Sequence, residues 1–501
     1  MSKPVDPKQN HMEKLSKRRM KSLSLQMIAR VLVVFLLAGC ATVGPDYIPP
    51  EISAPEQWHT DLKAALTQGS MDSKMMAGWW TTLNDPALTS LIQRALTGNL
   101  NLKEARSRVR EARARRGISA AERFPTLDVR GSAVSSYSGE DTGSGERREL
   151  YAAGFDANWE LDVFGGVRRS IEAAQGDLET SQEDYRDVMV SLLAEVALNY
   201  VEIRTSQTRL DVAEKNLETQ AETYELTVFL FEAGLSSALD MEQAKYNLEN
   251  TRSKIPTLRI SLEGAKNRLA VLLAIHPGAL HADLSVRKPI PVPPLEIAVG
   301  VPAEILRRRP DIRRAERKLA AQTARVGVAT AELYPKFSLL GSIGLEALSL
   351  GDLFSTGNRT DRVGPSFSWN IFDAGAIRKN IEVQNALQEQ ALIQYEAAIL
   401  NALEEVENAM VAFVQNQLRR QSLTQATQAA KRAVDLALKQ YSSGIIDFQD
   451  ILEAQRSLLS FHDQLAESDG AVTSNLISLY KALGGGWTSL MPEKAKSNEK
   501  K

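Results

Sequence analysis

Among the side chains able to carry chemistry, Asp450 and Glu453 lie three positions apart in a segment expected to be helical. Carboxylates three positions apart on a helix project from one face. Repeated around a symmetry axis, such a face favours cations. The five histidines (His11, His59, His276, His281 and His462) are scattered, and His276 and His281 read as a surface pair beside a proline-rich stretch rather than as metal ligands. One cysteine, Cys40, excludes a disulfide within the chain and a multi-cysteine metal site. There is no phosphate-cradling glycine loop followed by Lys-Ser/Thr, no G-x-S-x-G elbow and no H-E-x-x-H. The chemistry on offer is therefore electrostatic. No catalytic residue, metal site or enzymatic activity is expected.

Cys40 closes the longest apolar run, Val31 to Cys40, which follows Lys14, Lys17, Arg18, Arg19, Lys21 and Arg30. A basic stretch before roughly ten apolar residues reads as a secretory signal, too short to cross a bilayer of about 30 Å as a helix. Its ending, Leu37-Ala38-Gly39-Cys40, looks like a bacterial lipobox. On that reading residues 1–39 are removed and Cys40, carrying covalent lipid, becomes the first residue. The plainer alternatives are an uncleaved anchor or a buried thiol. Ala41 follows where an aspartate would hold a lipoprotein in the inner membrane, so the expected address is the outer membrane, with the chain extending into the periplasm. The stretch before Lys14 is long for a signal, and Met1, Met12 and Met20 are all candidate starts. A net charge of −2 and a pI near 6.3 give no electrostatic case for nucleic acid. With 43% hydrophobic and 24% charged residues the chain reads as folded and not polytopic. No later run reaches the roughly 18 apolar residues of a membrane helix, so a membrane crossing must be a closed β-barrel.

The elements that position these residues are written twice. Phe124-Pro125 returns as Tyr334-Pro335, Trp159 as Trp369, Gly234 as Gly444, Asp240 as Asp450 and Ala244 as Ala454, all 210 positions on. A constant offset over this length implies two structural repeats, over 86–275 and 303–483. Between 40–85, the lipidated N-terminal segment, and 484–501, a charged tail expected to lack fixed structure, they are joined by a linker at 276–302, stiffened at Pro289–Pro294. Each repeat opens with a helix (Pro86–Glu122, Ala303–Glu332). A strand pair follows (126–137 with 150–161; 336–346 with 362–372), then a long helix (166–233; 375–443) and a returning helix (237–274; 447–483). Pro is absent from both long segments and only Gly176 interrupts the first. At 1.5 Å per residue each makes a rod on the order of 100 Å. Their apolar positions shift without a lasting heptad seam, as on a helix with neighbours on two sides. Pro256 predicts a kink or break in the first returning helix.

The strands alternate. Tyr151, Phe155, Trp159 and Leu161 share one face, with Asp156, Asn158 and Glu160 on the other. Val363, Phe367, Trp369 and Ile371 likewise oppose Arg362, Ser366 and Asn370. Ten-residue segments, apolar outward and polar inward, mark membrane β-barrel strands, with Tyr151, Trp159, Trp369 and Phe372 where interfacial aromatics belong. A half-buried soluble sheet alternates in the same way. Four strands cannot close a barrel, since about eight is the least that leaves room inside. The strands must be pooled between copies, whose number this argument leaves open.

Gly44-Pro45-Asp46-Tyr47, Trp79-Trp80, Asp85-Pro86-Ala87-Leu88, Trp159 to Gly165 and, most specifically, Val301-Pro302 with Leu306-Arg-Arg-Arg-Pro-Asp-Ile312 and Ala315-Glu316 carry a resemblance to a known family. Over essentially the whole mature length the chain resembles the outer membrane factors, the TolC-like channels, and within them the NodT- or OprM-like lipoprotein branch. That resemblance implies a mainly α fold with a membrane β-barrel: a homotrimer whose twelve strands, four per chain, sit on a long periplasmic α-helical barrel. It implies a periplasmic adaptor and an inner-membrane transporter of RND type as partners, and no cofactor beyond the lipid on Cys40. Drug or small-amphiphile efflux is the function implied. A type I protein-secretion duct and a non-conducting structural lipoprotein are the alternatives. Asp450 and Glu453 match the family's acidic gate positions at the periplasmic tip, Glu453 replacing a common aspartate. Tyr441 and Asp240 match a pair that ties neighbouring coils shut. Ile446 stands where the family has an arginine, leaving one closing link without its donor.

Overall fold

The computed structural model describes residues 42–51, 54–60, 66–69, 73–141, 145–292 and 297–487. Cys40, the apolar run before it and residues 488–501 lie outside them. In chain order the elements are β1 (Leu66–Gln68), α1 (Ser73–Ala77), a 3-10 turn (Trp79–Leu83), α2 (Pro86–Gly98) and α3 (Leu100–Ala121). The first strand pair and helix pair follow: β2 (Thr126–Tyr137), β3 (Arg147–Leu161), α4 (Gly166–Glu232) and α5 (Ala238–Leu272). Next come β4 (Ile297–Val299), α6 (Pro302–Arg308) and α7 (Pro310–Ala331). The chain ends with β5 (Lys336–Ala347), β6 (Arg359–Ser368), α8 (Ala376–Ser442) and α9 (Phe448–Ala482).

Two compact units divide the chain. Of the described residues, one comprises 42–49, 111–141, 145–179 and 316–393. Its heart is an antiparallel sheet in the order β2-β3-β5-β6. Every residue of β2 is exposed, as are nine of the ten in β6, so both edges of the sheet are open. The sequence's apolar face is exposed too: Val129 is 76% accessible, Val363 78% and Ile371 80%. An apolar sheet face left bare in one chain is what a lipid-facing surface requires. Aromatic rings gather at the sheet end where β3 stops. Phe164 stacks on Tyr334 at 4.6 Å, and Phe337 lies 6.3 Å from Phe367.

The other unit comprises 50–110, 180–315 and 394–487 of the described residues. Its core joins the middle of α4 (Leu193, Tyr200, Ile203) with α5 (Leu269), α8 (Phe413) and α9 (Leu476, Tyr480), closed by Trp79, which stacks on Tyr480 at 5.5 Å. No described helix is long and apolar enough to cross a membrane.

Several boundaries differ from the sequence reading. The helix over Pro86–Glu122 is two helices, because the Asn99 side chain caps Leu102 N–H and reaches the Leu272 carbonyl. The helix after 302 likewise breaks at Arg309. α5 runs unbroken through Pro256, since Ile255 and Leu262 are buried around the one lost backbone donor. The linker contains β4, which pairs in parallel with β1. Residues 484–487 are packed: Gly486 N–H bonds to Met76 O, and Trp487 lies under the guanidiniums of Arg186 and Arg313. In the single chain β3 begins at Arg147 rather than 150, and β6 stops at Ser368 rather than 372.

Candidate functional site

Asp450 and Glu453, the acidic residues to which the resemblance points, lie at the turn from α8 into α9. Gly444, at φ 71°, ends α8 in the left-handed conformation that glycine adopts at least cost. Asp447 then precedes α9. Below this turn a small apolar cluster holds its shape. Ala437, Phe448, Ile451 and Leu452 pack with Ala244 of α5, and Tyr441 and Ile446 cover them. Ile446 is thus occupied in packing. Tyr441 leans on Phe448 with ring centroids 5.6 Å apart.

On that platform Asp450 and Glu453 are both exposed, on the same side of α9. They differ in company. Glu453 forms a 3.1 Å ion pair with Arg456, one turn on, and Arg456 also donates to the Tyr246 hydroxyl of α5 at 2.8 Å. Asp450 has no such ion pair among the described residues. Arg456 therefore belongs to the site although sequence reasoning passed over it. Its signal was present as a Glu-x-x-Arg spacing.

The other helical turn carries Asp240. Its carboxylate accepts from the Ser236 and Ser237 hydroxyls and from Ser237 N–H, while Ser237 Oγ accepts Asp240 N–H, a complete capping box opening α5. Partial burial acts to raise the Asp240 carboxyl, but these hydrogen bonds outweigh it and hold it below the usual carboxylate range. Within the chain Tyr441 and Asp240 are not joined by a hydrogen bond; the Asp240 carboxylate bonds to Ser236 and Ser237, and the Tyr441 ring packs on Phe448.

The segment after Cys40 is pinned to the sheet unit. Val43 N–H bonds to Phe164 O at 3.1 Å, just past β3. Arg169, buried, bonds to Val43 O and pairs with Asp46 at 2.6 Å. Tyr47 donates to Glu316 at 2.9 Å. The arginine-rich run proves structural. Arg309 ties Asp311, Glu405 and Ala482 O together, and Arg314 bridges Asp184 and Asp187. Among the described residues no group of three His, Cys, Asp or Glu could hold a metal ion.

The model of the family described as "Outer membrane efflux protein" matches the chain twice, over 91–274 and 301–485, the two starts separated by the repeat offset. Nodulation protein T of Rhizobium leguminosarum bv. trifolii is 31% identical over 90% of this chain and 96% of its own length. Cation efflux system protein CusC of Escherichia coli O6:H1 is also 31% identical, covering 91% and 97%. Among solved structures, the outer-membrane channel OprN is 37% identical with a TM-score of 0.84, covering 89% of this chain and all of that one. With its family model filling most of both repeats and relatives above 30% identity end to end, the chain belongs to the outer membrane efflux proteins.

Proposed function

We propose that this chain is the outer-membrane duct of a tripartite pump. Three copies pool their strands into a twelve-stranded barrel and their long helices into a periplasmic tunnel. An adaptor and an RND-type transporter supply cargo and energy, and small amphiphiles leave through the duct. The observation that carries this reading is a four-stranded sheet with both edges unpaired and its apolar face bare, which only copies of itself and lipid can complete. Lipid on Cys40 fits the same picture, since Val43 is held beside the end of β3, where the aromatic rings gather. Asp450 and Glu453 would ring the tip, with Tyr441 and Asp240 in the coils that close it. The two curated relatives, equally similar, are named for nodulation and for cation efflux, so likeness of this degree does not choose the cargo.

The test is a deletion strain challenged with amphiphilic antibiotics, dyes, detergents and metal ions, complemented with the wild-type chain. Hypersensitivity to amphiphiles reversed by complementation is the expected outcome. An unchanged profile together with a protein missing from the culture supernatant would replace efflux by secretion. Failure of the purified protein to conduct in a planar bilayer would leave only a structural role.

A further inference from the structure

The internal repeat extends to the hydrogen-bonded register of the sheet. In the β2–β3 ladder Thr126 faces Asn158, Leu127 faces Ala157 and Ser135 faces Glu149. In the β5–β6 ladder Lys336 faces Ser368, Phe337 faces Phe367 and Leu345 faces Arg359. Each of these pairs is its counterpart displaced by 210 at both members. The repeat also preserves a side-chain bond: Trp159 Nε1 donates to Arg123 O and Trp369 Nε1 to Leu333 O, again 210 apart at both ends. One ladder lacks a counterpart within the chain. β3 pairs with β5, but the equivalent partner of β6 is a second β2, and β2 and β6 are the two free edges.

From this we infer that β6 of one copy pairs with β2 of the next in the register of β3 with β5, placing Ser366 opposite Ser132 and Trp369 opposite Val129 of the neighbouring copy. The inference rests on the proposed pooling of strands between copies and goes beyond it by naming the contacts. Asp156 facing Ser342 becomes Ser366 facing Ser132; Trp159 facing Leu339 becomes Trp369 facing Val129; Leu161 facing Phe337 becomes Ile371 facing Leu127. Polar faces meet polar faces and apolar meet apolar, as a continuous barrel wall needs. Phe367 falls opposite Gly131, filling the gap that the glycine leaves. The new ladder also accounts for residues 369–371, which lie beyond the end of β6 in one chain: their partners are on the other copy.

Closure physics favours this register over the obvious alternative. The row Asp128, Asp156, Ser342 and Arg362 runs straight across the four strands. Continuing that row would set Arg362 opposite Asp128 of the next copy and give a barrel with no stagger, whereas closed barrels require one. The stagger is already visible inside the chain. Thr126 faces Asn158, which faces Leu340, yet the repeat equivalent of Thr126 is Lys336, four residues earlier. Four residues rise roughly 14 Å over two strand spacings of together roughly 10 Å, a tilt of roughly 55°. That exceeds the usual range of about 35–45° and makes the lumen wide for its strand number.

The experiment is cysteine cross-linking in outer membranes of cells expressing the full chain. Directly opposed antiparallel residues lie at disulfide distance, whereas a two-residue slip puts Cα atoms roughly 7–8 Å apart. Ser132→Cys/Ser366→Cys should form inter-copy dimers and higher closed species about tenfold faster than Arg130→Cys/Ser366→Cys or Val134→Cys/Ser366→Cys. Faster linkage in either slipped pair overturns the register while leaving assembly intact. No linkage in any pair of a native-mass oligomer overturns pairing through these edges, and a monomeric mass overturns the pooling itself. Hydrogen exchange on the unmodified protein gives a second reading: amides in 369–371 should be protected in the assembly, and rapid exchange there overturns the inference.

Discussion

Arg456 stands 3.1 Å from Glu453 and braces it against Tyr246, while Asp450, three residues earlier on the same side of α9, forms no ion pair among the described residues. Two carboxylates that look alike in sequence are thus electrically unlike. An exposed pair of this kind adds little stability, about 0–1 kcal/mol. In the narrow ring proposed for these residues, however, charge matters more than stability. Asp450→Asn should lower the cation-to-anion permeability ratio more than Glu453→Gln does, and Arg456→Ala should raise it. Each effect should be at most about fivefold, the Boltzmann weight of ~1 kcal/mol at close range in water. Reversal potentials in planar bilayers under a salt gradient decide it. Equal effects from both carboxylates would show that Arg456 screens nothing.

Asp85 is used twice. One oxygen accepts Ala87 N–H at 2.8 Å and Leu88 N–H at 3.2 Å, capping α2 with Pro86 in its first turn, while the other accepts the buried Tyr200 hydroxyl at 2.6 Å. Burial, aided by this bond to a carboxylate, pushes the Tyr200 phenol up to about 12, so it remains a donor at any ordinary pH. Tyr200→Phe removes one donor and should cost about 1–3 kcal/mol. Asp85→Ala should cost more, because it removes the cap and also leaves a buried hydroxyl unpaired. Chemical-denaturation midpoints of the two variants, measured on the same assembly, should fall in that order.

The Asp240 capping box has a pH signature. Its carboxyl titrates below the ordinary value because Ser236 and Ser237 outweigh the effect of burial. A depressed carboxyl contributes stability above its unfolded value, near 3.9, and loses it as pH falls through the lower folded value. Pepsin cleavage in the turn before Ser237 should therefore accelerate as pH drops from about 4 to about 2. In Asp240→Asn cleavage should already be faster at pH 4 and change less, since the charged half of the capping box is lost at every pH while the Ser237 cap remains. A steep acceleration in the variant would assign the pH effect to another group.

The contrast between what could and could not be read from sequence follows contact range. Strand alternation depends on a period of two, and the repeat on a constant offset, so both are written locally. The family model matching twice and the displaced ladders carry the same offset. Helix ends at Gly234 and Gly444 were legible because glycine at positive φ marks a turn by itself. The division at Asn99 was not, since it depends on Leu272 more than 170 positions away. Nor was the purpose of the arginine run, whose partners Glu405 and Ala482 lie on distant helices. At the turn into α9, the resemblance to the family picked out the carboxylates, but which of them is neutralised turned on Arg456 meeting Tyr246 across two helices.

Gly176, the one glycine inside α4, separates two opposing effects. Helix propensity alone makes Gly176→Ala stabilising by about 1 kcal/mol. A Cβ at this position, however, would stand 2.9 Å from both Cα and N of Ala321 in α7, and backbone cannot swing aside as a long side chain does. Relieving such contacts typically costs about 1–3 kcal/mol, so overpacking should win and the variant should be destabilised by up to about 2 kcal/mol. Gly264 is the internal control. It sits in α5, and its Cβ would meet only the end of the Arg268 side chain at 3.5 Å. There Gly264→Ala should follow propensity and stabilise. Opposite signs for the two substitutions would place the close approach of α4 and α7 at Gly176. The same sign at both positions would mean that α7 yields and that the tight crossing is not what keeps a glycine in the long helix.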